Sequence, residues 1–336
     1  MLKKDFRGEV WTNIDEEVLK MMVQINDEDV DGKVGEDSYT ARATEYLQSF
    51  FDDEIAVLYT INGTAANIIA LKALLGRYMA VICSAQAHIN TYECGALEYN
   101  LGNKILYAPT PDAKLTTEII DKLLFEEESH KYYPGVIAIT QPTELGTLYT
   151  LDEIKTLATY AHEKGMKLFI DGARLGSALA TLGVTIREMI VDTGVDAFTV
   201  GGTKAGAMFG EAVVFTQKEM LVAGDYILKQ SLQHLDKSKF LGAQMLRLFT
   251  DELWIKNFTH ANAMAKLLET ELGKKGIKPY FPVQSNMIFC VIEPQILNKI
   301  RAEFDLKYWF KDKKVVRIAT THATTKEAVM RLIELI

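Results

Sequence analysis

The stretches K-L-F-I-D-G-A-R at 167–174 and D-A-F-T-V-G-G-T-K-A-G at 196–206 decide how this chain is read. Each opens on an apolar run of strand length, 167–170 and 196–200. Each then breaks into glycines beside a charged side chain, Asp171 in one and Lys204 in the other. Continuous apolar runs of this kind mark strands buried on both faces of a parallel sheet. A carboxylate at the end of one such strand and an amine just past another open onto the same sheet edge, where open α/β folds bind ligands.

Working outward, apolar runs recur at 54–60, 80–83, 104–108, 136–140 and 211–215, and helical spacing occupies 64–75 and 152–164. The alternation predicts an α/β fold, a mostly parallel sheet with helices on both faces. From 218 to 251 the pattern becomes mainly helical. A helix near 261–273, strand-like runs at 287–292 and 315–319 and a closing helix from Thr325 follow. The expected organisation is a large domain over 1–240, including the N-terminal segment, and a smaller C-terminal α+β domain over 241–336.

At 336 residues and 48% hydrophobic, the chain can bury a full core. A net charge of −8 without a basic cluster argues against a nucleic-acid partner. The first ten residues lack the apolar core of a signal peptide. The run 197–215 has about the length of a membrane span, but Lys204, Glu211 and four glycines make a buried α/β core the better account. Cys83, Cys94 and Cys290 show neither paired nor metal spacing, which fits a reduced, cytoplasmic enzyme with cysteines in or near the core.

Lys204 sits among Gly201, Gly202, Thr203, Ala205 and Gly206, so a flat, bulky cofactor could approach its amine. An amine for a Schiff base, with a carboxylate to keep a pyridine nitrogen protonated, is what pyridoxal 5'-phosphate (PLP) requires of a protein. Asn62-Gly63-Thr64 follows one strand and opens a helix, where a threonine cap and free N–H groups would attract a phosphate. His88 lies just past the 80–83 strand and could stack on a flat ring or act as a base. Arg174, and Arg317 inside the apolar V-V-R-I-A run, could grip a carboxylate bidentately. Each has a plainer alternative: a strand-to-helix turn, a surface histidine, an internal salt bridge, a turn aspartate, a solvated lysine. The joint occurrence at successive strand ends favours a cofactor site.

Taken with N-G-T-A-A-N at 62–67, A-H-I-N-T-Y-E-C-G-A at 87–96, T-Q-P-T-E-L-G-T-L-Y-T-L-D-E-I at 140–154, D-G-A-R-L at 171–175, G-G-T-K-A-G at 201–206 and V-V-R-I-A-T at 315–320, the chain resembles the threonine aldolase and β-eliminating lyase family of fold-type-I PLP enzymes. The T-Q-P-T-E-L-G form is closer to bacterial phenylserine- and threonine-aldolase-like members than to the low-specificity branch. The resemblance implies an aspartate-aminotransferase-like large domain and cleavage of a β-hydroxy-α-amino acid to glycine and an aldehyde. The alternatives are β-elimination, racemisation or transamination of another amino acid, or a non-catalytic PLP-binding protein. By the same resemblance Gly63 and Thr64 bind the phosphate and His88 stacks on the ring. Asp171 meets the ring nitrogen, Lys204 holds the cofactor covalently, and Arg174 and Arg317 hold the substrate carboxylate, with Arg174 also at the cofactor. No metal is implied. A homodimer or homotetramer with shared sites is. The chain departs from the family at Gly8-Glu9, where a serine and an aspartate are usual, at Val34, usually tyrosine, and at Lys239, where an arginine reaching a phosphate is expected.

Overall fold

The computed structural model describes residues 4–28, 35–124 and 129–336. Its strands are, in chain order, β1 (Lys4–Asp5), β2 (Ala56–Thr60), β3 (Met79–Ser84), β4 (Lys104–Ala108), β5 (Tyr133–Thr140), β6 (Lys167–Asp171), β7 (Ala197–Gly201), β8 (Glu211–Phe215), β9 (Met287–Val291), β10 (Phe304–Asp305), β11 (Tyr308–Phe310) and β12 (Val315–Ala319). Seven of them form one sheet in the order β2-β8-β7-β6-β5-β3-β4. All its pairings are parallel except the two made by β8, which runs antiparallel to both β7 and β2. Two antiparallel steps bring β2 back into the direction of the rest. The carboxyl ends of β2, β3, β5, β6 and β7 and the amino end of β8 therefore share one edge.

Alternation along the strands distributes the core between two faces. Ile82, Ile137, Leu168, Ile170, Phe198 and Val214 pack beneath the helices 38–48, 151–163, 175–182 and 238–249. Val81, Val136, Phe169, Ala197 and Val213 pack on the other face against the helices 63–74 and 96–101. The run 197–215, which has about the length of a membrane span, resolves into β7, a short turn of helix and β8. Among the described residues no helix is long and apolar enough to cross a membrane.

A second core gathers around the antiparallel sheet β11-β12-β9 and the helices 253–274 and 326–335. The boundary expected at 240/241 is crossed twice. Helix 238–249 joins the core of the large sheet through Leu241, Met245 and Leu248. The N-terminal segment goes the other way: β1 pairs with β10, and Phe6 packs on Phe304 with ring centroids 5.3 Å apart. Cys83 and Cys290 are buried, but Cys94 is exposed and does not belong to the core.

Candidate active site

Several elements deliver side chains to the shared sheet edge. Asp171 is the last residue of β6, and Lys204 lies in the helical turn Thr203–Ala205 just beyond β7. The two strand ends meet closely, with Gly201 N donating to the Gly172 carbonyl at 3.2 Å and Gly172 N to the Thr199 side-chain hydroxyl at 2.8 Å. A Cβ on Gly172 would lie 1.9 Å from the Thr199 carbonyl oxygen, and one on Gly201 2.2 Å from that of Ala173. Glycine is needed at both positions for this approach, which sets the spacing of carboxylate and amine.

Asp171 makes the turn contact expected of an isolated Asp-Gly, accepting Ala173 N at Oδ1 (3.0 Å), and its other oxygen accepts Asn67 Nδ2 at 2.8 Å. It is buried. Burial, followed by the charge of Arg174, lowers the pKa of Lys204. Among the described residues its amine makes no hydrogen bond or ion pair. Beside it, at the start of β8 between Thr60 and Gly201, stands Glu211, which burial pushes up to about 7. Glu144 is likewise buried, at about 6. Its Oε1 accepts the main-chain N–H of His88 and the Thr140 hydroxyl, both at 2.8 Å.

The helix Gly63–Leu74 starts at this edge, but its cap is Asn62, whose Oδ1 accepts Ala65 N at 2.9 Å; the expected threonine cap is not formed. A Cβ on Gly63 would meet nothing within 4 Å, so the helix end faces open space. His88 opens a short helix beyond β3, with Tyr92 stacked 5.8 Å from it and Trp309 5.3 Å from Tyr92.

The two arginines differ. Arg174 is occupied by the Glu9 carboxylate, its Nε at 2.5 Å and Nη2 at 2.9 Å, and Asn286 Nδ2 adds a third bond at 2.7 Å. Burial works to raise the Glu9 pKa, but Arg174 brings it down to about 2. Arg317 pairs with no carboxylate among the described residues. It lies over the Trp309 ring at 4.1 Å and donates Nη2 to the Arg7 carbonyl at 2.6 Å. Burial and the nearby Arg174 lower it to about 10. An internal salt bridge, its plainer alternative, is not formed. Gly8 has φ 155° and ψ 169°, a conformation favouring glycine, and a Cβ there would sit 3.5 Å from Arg317 Nη2. Lys239 holds the carbonyls of Ile25 (3.0 Å) and Glu28 (2.8 Å) at the end of helix Glu16–Asn26. Val34 lies outside the described residues.

Asp171, Lys204, His88, Arg174, Arg317 and the Gly63–Thr64 turn thus belong to one region. Asn67, Glu93, Glu144, Glu211 and Trp309 join them without having been given a role from the sequence, and so does Glu9, noted there only as a departure from the family. Glu211 had a further signal, a carboxylate inside the apolar E-A-V-V-F run. The residues fit PLP. Among the described residues one buried oxygen each of Glu93 and Glu144 lacks a partner, and the carboxylates around Asp171 favour a protonated ring nitrogen. The open helix start suits a phosphate.

A family model for β-eliminating lyases matches residues 5–294. The low specificity L-threonine aldolase of Pseudomonas aeruginosa is 38% identical over 301 residues, covering 89% of this chain and 87% of its own. That of Saccharomyces cerevisiae is 24% identical, covering 90% and 79%. Among solved structures, a Leishmania major threonine aldolase matches with a TM-score of 0.93 at 31% identity over 98% of both chains. Aspartate aminotransferase from Thermotoga maritima, at 15% identity and a TM-score of 0.75 over 99% and 91%, shares the fold. The chain belongs to the threonine aldolase and β-eliminating lyase family. The Pseudomonas and Saccharomyces aldolases both carry the low-specificity name, whereas the T-Q-P-T-E-L-G loop is read from the sequence as closer to phenylserine- and threonine-aldolase-like members.

Proposed function

We propose that this lyase-family member binds PLP and cleaves a β-hydroxy-α-amino acid, threonine- or phenylserine-like, to glycine and an aldehyde. One observation carries the proposal: a buried carboxylate and an amine of lowered pKa, without a partner among the described residues, stand at the ends of adjoining strands, locked together through Gly172 and Gly201. When bound, PLP supplies an electron-poor ring that stabilises charge developing at the substrate Cα. Lys204 would hold the cofactor through its amine. Asp171 would keep a proton on the ring nitrogen, and the first N–H groups of helix Gly63–Leu74, at Gly63 and Thr64, would take the phosphate.

Arg317 would bind the substrate carboxylate. Its guanidinium already lies over the Trp309 ring and is held by the Arg7 carbonyl, so little freedom is lost on binding. Arg174, satisfied by Glu9, would act mainly by adding positive charge. His88 would accept the β-hydroxyl proton as the bond to the leaving aldehyde carbon breaks. The cytoplasm is the compartment we propose. Two copies at least would make the working unit, as the family resemblance implies.

Tyr92 and Trp309 form an apolar wall beside Arg317, and Gly8 adds no hydroxyl there. Phenylserine should therefore be cleaved better than threonine, by the roughly 1–3 kcal/mol that apolar contacts discriminate. The test is kcat/KM for threonine, allo-threonine and phenylserine with glycine as the measured product. No glycine from any of them, with pyruvate or ammonia from serine or cysteine, would replace the aldolase reaction by β-elimination.

A further inference from the structure

His88 is gripped at two points by buried carboxylates. Its main-chain N–H meets Glu144, and its ring Nδ1 lies 2.8 Å from Glu93 Oε1. The same Glu93 oxygen accepts Asn67 Nδ2 at 2.8 Å, and that amide nitrogen also donates to Asp171 Oδ2 at 2.8 Å. The amide cannot be turned over, because its oxygen would then face two carboxylate oxygens. With Glu93 ionised, Oε1 can only accept, so Nδ1 of His88 is the donor to it. A neutral imidazole protonated there keeps a lone pair on Nε2. The Glu93 side chain is fully enclosed while that of His88 is 37% exposed, and among the described residues Nε2 of His88 makes no hydrogen bond.

We infer that Glu93 is a positioning residue for His88: it holds the imidazole with hydrogen on Nδ1 and a bare Nε2, and through Asn67 it ties that orientation to Asp171. The inference rests on His88 being the proton acceptor proposed above. It explains why a ring placed to stack on a flat cofactor can still aim one nitrogen at a proton. The arrangement follows the general pattern of a base oriented by a third group.

Nitrogen-15 NMR of histidine-labelled full-length protein, with and without PLP, reads the tautomer independently of turnover. The His88 resonances are identified by their absence from His88→Gln. The expected result is a protonated Nδ1 and an unprotonated Nε2 in both samples. Glu93→Gln should keep this tautomer, since its carbonyl can accept the same two bonds. Glu93→Met, similar in size but without an acceptor, should release it to Nε2–H. With phenylserine, Glu93→Met should lower kcat by roughly 10²-fold, the low end for a positioned acid–base group, with KM nearly unchanged, and Glu93→Gln should recover most of the loss. Hydrogen on Nε2 in the unmutated protein, or a Glu93→Met tautomer like the original, would overturn the inference. If Glu93→Met does not fold, the unmutated and Glu93→Gln tautomers still decide it. If the tautomers behave as stated and kcat does not respond, the role of Glu93 stands and His88 is not the proton acceptor.

Discussion

Glu9→Gln removes one charge from the most enclosed ion pair of the site. The carboxylate is 4% exposed and accepts Arg174 at 2.5 and 2.9 Å and Asn286 at 2.7 Å. Burial opposes ionisation, yet the pair lowers the carboxyl from 4.5 to about 2. At ~1.4 kcal/mol per tenfold change in proton affinity, that difference corresponds to about 3 kcal/mol of folding stability. Breaking a buried pair costs a similar ~3–5 kcal/mol, because the remaining charge is left unpaired. The folded-state value lies below the unfolded one, so the contribution is complete above about pH 4.5 and is lost as pH falls toward 2. Urea unfolding of the cofactor-free protein near neutral pH should show Glu9→Gln about 3 kcal/mol less stable, with the gap narrowing in acid. The double variant Glu9→Met/Arg174→Met should recover much of the loss, since neither charge is then stranded. A loss below ~1 kcal/mol, the range of exposed pairs, would refute the argument, as would a gap insensitive to acid.

Three further outcomes test the site and its scaffold. Borohydride reduction of the PLP-loaded protein should place the pyridoxyl group on Lys204, and Lys204→Ala should lose that label; peptide mapping to another lysine would displace the assignment. Arg317→Lys should weaken amino-acid binding at least tenfold while leaving PLP affinity nearly unchanged, because an ammonium supplies neither the fork nor the flat face against Trp309. Isothermal titration of both ligands checks it, and equal losses for the two would point to a structural role. Gly172→Ala should destabilise the fold by about 1–3 kcal/mol or more, since a methyl 1.9 Å from the Thr199 carbonyl oxygen forces the two strand ends apart. Thermal unfolding unchanged from the original chain would mean that the ends part freely.

Much of the scaffold was legible because both its signals are local. Apolar runs at 54–60, 80–83, 104–108, 136–140, 167–170, 196–200 and 211–215 all became strands of one sheet, and residues 64–75 and 152–164 became helices within a residue of their expected ends. The antiparallel sense of β8 had no such signal, since a buried strand reads the same in either direction. Nor did the attachment of the N-terminal segment to β10, a pairing across some 300 residues of chain. The Asn62 cap shows the same limit at close range: both Asn62 and Thr64 can cap a helix, and the backbone path decides which does.

By itself the sequence determined which chemistry was available: a strand-end aspartate, a glycine-flanked lysine, a histidine beyond a strand, and arginines in or near apolar segments. Only the tertiary structure decided how those charges are shared. Glu9 reads as a departure from a family motif, but folding places it in the fork of Arg174, 165 positions away, and so leaves Arg317 as the guanidinium without a carboxylate. Asn67 and Glu93 carry no chemical signature in their own segments, yet they bridge His88 to Asp171, 104 residues beyond Asn67. The physical reason is that residue type limits what a side chain can donate or accept. Pairing and protonation depend on burial and on the partners within hydrogen-bond reach, which exist only once the sheet edge has assembled.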